Sequence, residues 1–340
     1  MLNDLWKCIF ITPGIVELGI VTQSRPPEEP DHHAMTSGLL QPEMIGIEER
    51  QEALLALLQP GSGRAMVSRF EQYASEHGIG LDWIWACRDA HGNLESSVLC
   101  VPSAGRTAMV FLSSVRSPSQ VHQRAALLEH ALAYLKEQDV DLAQSLLPCD
   151  DQLGHEAHVN GGLLPLTTLL YMERSLARPF KSPPVPDGIE LIPWTESMDE
   201  TLGCILDATY EDTLDCPGLC GLRRTEDIIL GHKSCGRQDP GGWILARIDG
   251  AFAGAILVNH SRNDDNVELV YIGLAPAARG RGLGAFLLQT LLARYSGSSF
   301  RRMTLAVDTK NLPAIQIYEA LGFRGTGHRN AYIASLAGKA

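Results

Sequence analysis

Three things are missing from this sequence: a CxxC pair, an apolar run long enough to span a bilayer, and a surplus of positive charge. The eight cysteines lie scattered at 8, 87, 100, 149, 204, 216, 220 and 235. In a chain of 340 residues that usage reads as reduced thiols of a cytoplasmic protein, not a disulfide framework. No stretch reaches the roughly 18 apolar residues of a membrane span. The apolar start, Cys8 to Val21, is broken by Pro13 and Glu17 and has only Lys7 as a basic flank, so no signal peptide is expected. Lys plus Arg number 28 against 40 Asp plus Glu, a net charge of −12. Such a surface repels phosphate backbones and speaks against a nucleic-acid partner held by bulk charge. Divided at residue 185, the first part carries 13 basic and 22 acidic residues, the second 15 and 18. An anion site is therefore expected in the C-terminal half.

What is present is a foldable composition. Hydrophobic residues make up 45% and charged residues 20%, enough to bury a sizeable core. At about 150 residues per domain the length predicts two domains. Residues 1–43 hold turn formers and charge without periodicity over much of their length and read as a flexible lead-in. Ala53, Leu54, Leu57 and Leu58 recur at helical spacing. The proline cluster from Pro179 to Pro186 is stiff and extended, which sets a linker at 179–188 between domains at 44–178 and 189–340.

The two halves read as a diverged repeat with an offset of 160. The strand at Trp83–Ala86 and its partner at Ser97–Val101 match Trp243–Ala246 and Ala253–Val258. Met109–Leu112 falls on Leu269–Ile272, the helix Arg124–Leu135 on Ala285–Tyr295, and Tyr171 within one residue of Tyr332. A repeat of this length means tandem domains rather than a solenoid. Two unrelated α/β domains with similar hairpins is the alternative.

Arg279-Gly280-Arg281-Gly282-Leu283-Gly284 follows a buried strand and opens a helix with Leu283, Phe286, Leu287 and Leu291 on its apolar face. Glycines let backbone approach a ligand closely, and the first amides of a helix lack partners. With two arginines nearby, such a turn suits a diphosphate. A dinucleotide loop would need GxGxxG with an acidic residue about twenty positions on, and a P-loop would need Gly-Lys-Ser/Thr. Neither is present. A plain helix cap is the bland alternative. Gly273, inside the preceding strand, marks a bulge or a close backbone approach.

The pattern Leu274-x-Pro276-x-x-Arg279-Gly-x-Gly282-x-Gly284 resembles the coenzyme A loop of the GNAT superfamily of acyl-CoA N-acyltransferases. Asn311, Ala314, Tyr318, Gly322 and Phe323 are similar to that superfamily's next strand and helix, so the resemblance covers about residues 190–335. It implies an α/β fold of two tandem GNAT-like domains, each a mixed sheet flanked by helices. It also implies acetyl-CoA as co-substrate and transfer of acetyl to a primary amine by direct attack, with no metal. Carried over, the backbone of Arg279, Gly280, Arg281, Gly282, Leu283 and Gly284 holds the pyrophosphate, Ile272, Gly273 and Leu274 pair with the pantetheine arm, and Asn311 contacts it. Tyr318 takes the place of the general acid. Glu268, eleven residues before Arg279, stands where the histone-acetylating branch has a catalytic glutamate, with a solvent-facing strand residue as the alternative. At the same positions the N-terminal half has no glycine loop, and Ala108, Asp151 and His158 replace Glu268, Asn311 and Tyr318. That half is expected to be a degenerate, non-catalytic lid or scaffold, a layout resembling tandem enzymes such as mycothiol synthase. Transfer of a longer acyl group, or coenzyme A sensing without catalysis, are the rival functions.

The segment 196–240 is where the resemblance places acceptor recognition. Its acidic run Glu211, Asp212 and Asp215 reads as a solvated face, with attraction of a cationic amine as the alternative. Cys216, Cys220, His232 and Cys235 have irregular spacing for zinc.

Overall fold

The structure, a computed structural model, describes residues 41–58, 63–261 and 265–337. Most of the expected lead-in, and the apolar start within it, lies outside those residues. Glu43 is already part of the fold, because it pairs with Ala86.

In the N-terminal half the order is β1 (Glu43–Met44), α1 (Arg50–Leu57), α2 (Arg64–Glu76), β2 (Ile84–Arg88), β3 (Leu94–Ser103), β4 (Thr107–Leu112), α3 (Val121–Glu137), β5 (Leu142–Leu147), α4 (Gln152–Asn160) and β6 (Leu164–Ser175). The second half repeats it with β7 (Ile189–Pro193), α5 (Asp199–Tyr210), α6 (Thr225–Ser234), β8 (Arg237–Ile248), β9 (Ala251–His260), β10 (Asn266–Leu274), α7 (Leu283–Tyr295), β11 (Arg302–Asp308), α8 (Leu312–Ala320) and β12 (Arg324–Ser335). The offset of 160 holds at both ends of the pairs α4/α8 and β6/β12. Asp151 and Asn311, 160 apart, each cap their helix by accepting a backbone N–H three residues on, from Gly154 and Ala314.

The strands form one mixed sheet ordered β1-β2-β3-β4-β5-β12-β6-β11-β10-β9-β8-β7. The last strand of each half is exchanged. β12 pairs with β5 from Asn330↔Leu147 to Ser335↔Leu142, and β6 pairs with β11 from Arg302↔Ser175 to Asp308↔Leu169. The cores follow the same exchange. Tyr332 and Ala334 of β12 pack in the N-terminal core with Trp85, Leu127 and Leu128, while Met172 of β6 packs in the C-terminal core with Leu287, Leu305 and Val307. Each sheet half is covered on both faces, which is why β9 is buried continuously from Gly254 to His260's neighbour Asn259. On one face of the second half lie Leu283, Phe286, Leu287 and Leu291 of α7, the stripe expected from spacing; on the other lie Leu202, Ile205 and Leu206 of α5 with Trp194 and Trp243. The stretch Pro179–Pro186 has no regular secondary structure.

Candidate active site

The site is a split between two parallel strands. β10 and β11 pair at Asn266↔Arg302, Val267↔Met303 and Glu268↔Thr304, and no further among the described residues. Both strands continue, β10 held by β9 as far as Leu274↔Gly254 and β11 held by β6 as far as Asp308↔Leu169. A bulge between Leu269 and Tyr271 turns β10 away from its former partner. Backbone groups of Ile272 and Leu274 on that edge therefore face an opening, while Gly273, opposite Ala255, turns its own N–H and C=O toward β9. The bulge lies just upstream of Gly273, whose own role is close approach. A Cβ there would stand 2.4 Å from the Tyr271 hydroxyl and 3.0 Å from the Thr209 side chain. Half-buried Ile272 and Leu274 on β10 and Ala314, Ile315 and Ile317 on α8 give the split apolar walls.

Its end is closed by the N-terminus of α7. Gly280 and Gly282 both have left-handed backbones, φ +74 and +75, and a Cβ on either would meet open space. Glycine is needed there for conformation, not for room. Gly282 is the N-cap and offers no side chain. The first amide to find a helical acceptor is Phe286, 3.1 Å from the Gly282 oxygen. The preceding amides of Leu283, Gly284 and Ala285 have no protein acceptor among the described residues, so the helix presents unpaired donors where its dipole is positive. Gly284 abuts both walls, its Cβ position 3.6 Å from Ile317 and 4.0 Å from Leu274.

The two arginines of the turn are engaged elsewhere. Arg279 donates to the carbonyls of Leu274 (2.9 Å), Thr209 (3.0 Å), Glu211 (2.6 Å) and Asp212 (3.0 Å), tying off the C-terminal end of α5. Arg281 pairs with Asp249 at 2.9 Å. What the turn leaves unpaired is its backbone, not these side chains.

Of the candidate proton carriers, Tyr318 is the one residue of α8 fully in the core, its ring 5.8 Å from that of Phe323. Burial raises its pKa above the usual phenol value, with the negative charge of Asp215 adding to the rise. Glu268 is not a solvent-facing strand residue. It is 6% exposed, one oxygen accepts from the Cys235 thiol at 3.7 Å, and the other has no hydrogen-bond partner. Burial pushes its pKa up to about 8. His232, whose ring lies 5.4 Å from that of Tyr271, is buried with neither ring nitrogen hydrogen-bonded, and desolvation pushes its pKa down to about 3. Asn311 caps α8 and hydrogen-bonds the Asp215 carboxylate.

Sequence reasoning underrated Asp215. Its carboxylate accepts the backbone N–H of Asp308 at 2.9 Å. Asp308, fully buried, in turn accepts from the Cys216 backbone N–H at 3.2 Å and the Thr167 hydroxyl at 2.7 Å. Cys216 itself has φ +48, an unfavourable conformation for a residue with a side chain. Cys235 lies against Glu268 and Cys216 against Asp308, and no three His, Cys, Asp or Glu side chains converge as metal ligands among the described residues.

The corresponding split in the N-terminal half starts in the same way and ends differently. β4 and β5 pair from Thr107↔Leu142 to Met109↔Gln144 and then part. Val115, Val121 and Ala157, with Leu112 and Leu153, close the gap as a small core. His158, at the position of Tyr318, has both ring nitrogens engaged, by Ser145 Oγ at 2.9 Å and the Gly154 oxygen at 2.8 Å.

Residues 206–323 match the family model described as acetyltransferase (GNAT) family. The chain is 29% identical over 167 residues to a mycothiol acetyltransferase of Thermobispora bispora, an alignment covering 48% of this chain and 55% of the relative. It is 31% identical over 163 residues to that of Thermomonospora curvata, covering 48% and 53%. The chain thus spans about half the length of the curated relatives it matches. Among solved structures, a GCN5-related N-acetyltransferase from Sphaerobacter thermophilus superimposes with a TM-score of 0.56 at 16% identity, covering 90% of this chain and 98% of that one. That likeness extends the fold across both halves.

Proposed function

We propose that the chain is an N-acetyltransferase, a reading supported by the match of residues 206–323 to the acetyltransferase (GNAT) family model. Its co-substrate is acetyl-CoA and its acceptor a primary amine, with the chemistry confined to the C-terminal split. The observation that carries this reading is the α7 N-terminus. Unpaired amides from Leu283 to Ala285 stand behind two left-handed glycines, at the end of an apolar slot with backbone groups along one edge. A diphosphate fits the amides and an extended amide-bearing arm fits the slot. The thioester supplies the acyl group; this chain's residues bind, orient and move protons.

The backbone N–H groups of Ile272 and Leu274, turned to the slot, hold the arm and polarise a carbonyl lying against the strand, and Gly273 between them keeps the close approach without a side chain. Tyr318, kept protonated by burial, gives its hydroxyl proton to the departing thiolate. Glu268 takes up the proton that the amine loses. With its pKa near 8 it is half-ionised at mildly alkaline pH, so the rate rises as the pH approaches and passes that value. The amine attacks the acyl carbon directly, without an acyl-enzyme. The relatives' name makes a mycothiol-related amine the first acceptor to try.

The test is release of free thiol from acetyl-CoA with a panel of mycothiol-related amines, polyamines, aminoglycosides and peptides, alongside calorimetric binding of acetyl-CoA. Amine-dependent release supports transfer. Tight binding without release from any amine supports sensing instead, and no binding removes the reading altogether.

A further inference from the structure

The loop between α5 and α6 is fastened at both ends to the split. Arg279 clamps its start by the carbonyls of Glu211 and Asp212. Asp308, at the end of β11, holds the Cys216 backbone N–H, and Gly218 sits against Leu166 of β6 so closely that a Cβ would stand 2.8 Å from it. Between these fastenings Asp215 is delivered to the point where β11 ends and α8 begins. There it accepts from the Asp308 backbone and the Asn311 side chain. It remains exposed to solvent even though protein crowds around it. A carboxylate has about four lone-pair sites, so these two bonds leave acceptor capacity on the open side. Its charge is felt at Tyr210, Tyr271 and Tyr318, so it stands among the aromatic residues of α5, β10 and α8. Glu268, by contrast, has its one hydrogen bond with Cys235.

We propose that Asp215 is the residue that receives the acceptor amine, which must therefore be a basic primary amine and not a neutral amide or hydroxyl compound. This inference rests on the acetyltransferase reading for the position of the thioester. The carboxylate accepts an N–H of the amine and so directs its lone pair toward the acyl carbon. As the C–N bond forms and the C–S bond breaks, nitrogen gains positive charge, and a carboxylate one hydrogen bond away stabilises that charge more than it stabilises the neutral amine. The surplus proton on nitrogen passes to Glu268, Asp215 keeping its charge, and the thiolate takes its proton from Tyr318. The backbone fastening makes this a fixed group, which lowers the reorganisation needed at reaction.

The test uses the full chain and the variants Asp215→Asn and, as a distant carboxylate control, Glu226→Gln on the exposed side of α6. Asn retains an oxygen for the Asp308 N–H, so an unchanged circular-dichroism melt is expected. Initial rates are measured with saturating acetyl-CoA and with glucosamine, spermidine and glycylglycine amide as probe amines. Binding of the same three amines to protein saturated with coenzyme A is measured by calorimetry. The expected result is a fall of about 100-fold in kcat/KM for the best amine, a typical size for loss of such a group. Amine binding should weaken at least tenfold, while the Kd for acetyl-CoA stays within twofold and Glu226→Gln behaves as wild type. Wild-type kcat/KM in Asp215→Asn overturns the proposal. So does a loss shared equally by acetyl-CoA binding, which would make Asp215 merely structural, or a wild-type protein that binds none of the three amines. Amine binding that depends on Asp215 but yields no thiol would uphold the proposal and defeat the acetyltransferase reading.

Discussion

Leu112, Val115, Val121, Leu153 and Ala157 stand 160 residues before Ile272, Ala275, Arg281, Pro313 and Ile317. The first five pack together and seal the gap between β4 and β5. The second five are half-buried or exposed and leave the gap between β10 and β11 open. Both gaps arise from the same cause, parallel pairing that stops after three residues while each strand is still held by its outer neighbour. The difference teaches that the frame alone does not make a site. Replacing Arg281 and Ile317 by Val121 and Ala157 turns an opening into a core, and putting Arg124 where Gly284 stands removes the close approach at the helix N-terminus. The buried Arg124 guanidinium is desolvated, which lowers its pKa, and it is turned toward the Glu95 carbonyl at 3.4 Å.

The largest expected effect comes from breaking the exchange that joins the two halves. Removing residues 323–340 takes away β12, leaves the inner edges of β5 and β6 unpaired, and exposes the cavity filled by Tyr332, which is 1% exposed. The truncated chain is expected to lose cooperative unfolding in both halves, followed by far-UV circular dichroism. A native-like melt would show that the exchanged strand is dispensable. Next in size is Gly282→Glu, which forces a side chain into a left-handed position and puts a carboxylate at the anion site. Acetyl-CoA affinity should fall at least 100-fold by calorimetry, and an affinity near wild type would dissociate the turn from binding.

Tyr318→Phe should lower kcat by about 100-fold with acetyl-CoA binding unchanged, a size usual for loss of a proton donor. Equal turnover would take the tyrosine out of the chemistry. For Glu268, folded and unfolded chains bind a proton differently between its ordinary value of 4.5 and about 8. In that window the folded state holds a proton that the unfolded state has released. Its contribution to stability is therefore full below 4.5 and lost as the pH rises through 8. Urea titrations across this range should show stability declining, with a flatter profile in Glu268→Gln; parallel profiles would mean that the buried carboxyl does not titrate as described. The smallest effect is expected from Val121→Ala in the sealed gap. It should cost about 1 kcal/mol of stability from the lost packing and leave acetyl-CoA stoichiometry untouched, whereas a second equivalent bound would show that the gap needs only a trimmed side chain to become a site.

Much of this frame could be read from sequence because its elements repeat at one offset, and local patterns determine where strands and helices begin. The α7 turn was legible for the same reason: Gly280, Gly282 and Gly284 are punctuation that a helix start needs only when backbone must be left-handed or close to something. The strand exchange was not legible. β6 and β12 carry matching signals as the last strand of their half, and nothing local says which sheet each one joins. Asp215 was read as part of a solvated acidic face because its partner Asp308 lies 93 residues away. Arg279 reads as free positive charge in the sequence because three of the four carbonyls it ties off lie 67 to 70 residues away.

Calorimetric titration of the full chain with acetyl-CoA addresses the contrast between the two gaps most directly. The account predicts one equivalent per chain, abolished by Gly282→Glu and retained in Val121→Ala. Two equivalents, or one that survives Gly282→Glu, would contradict it.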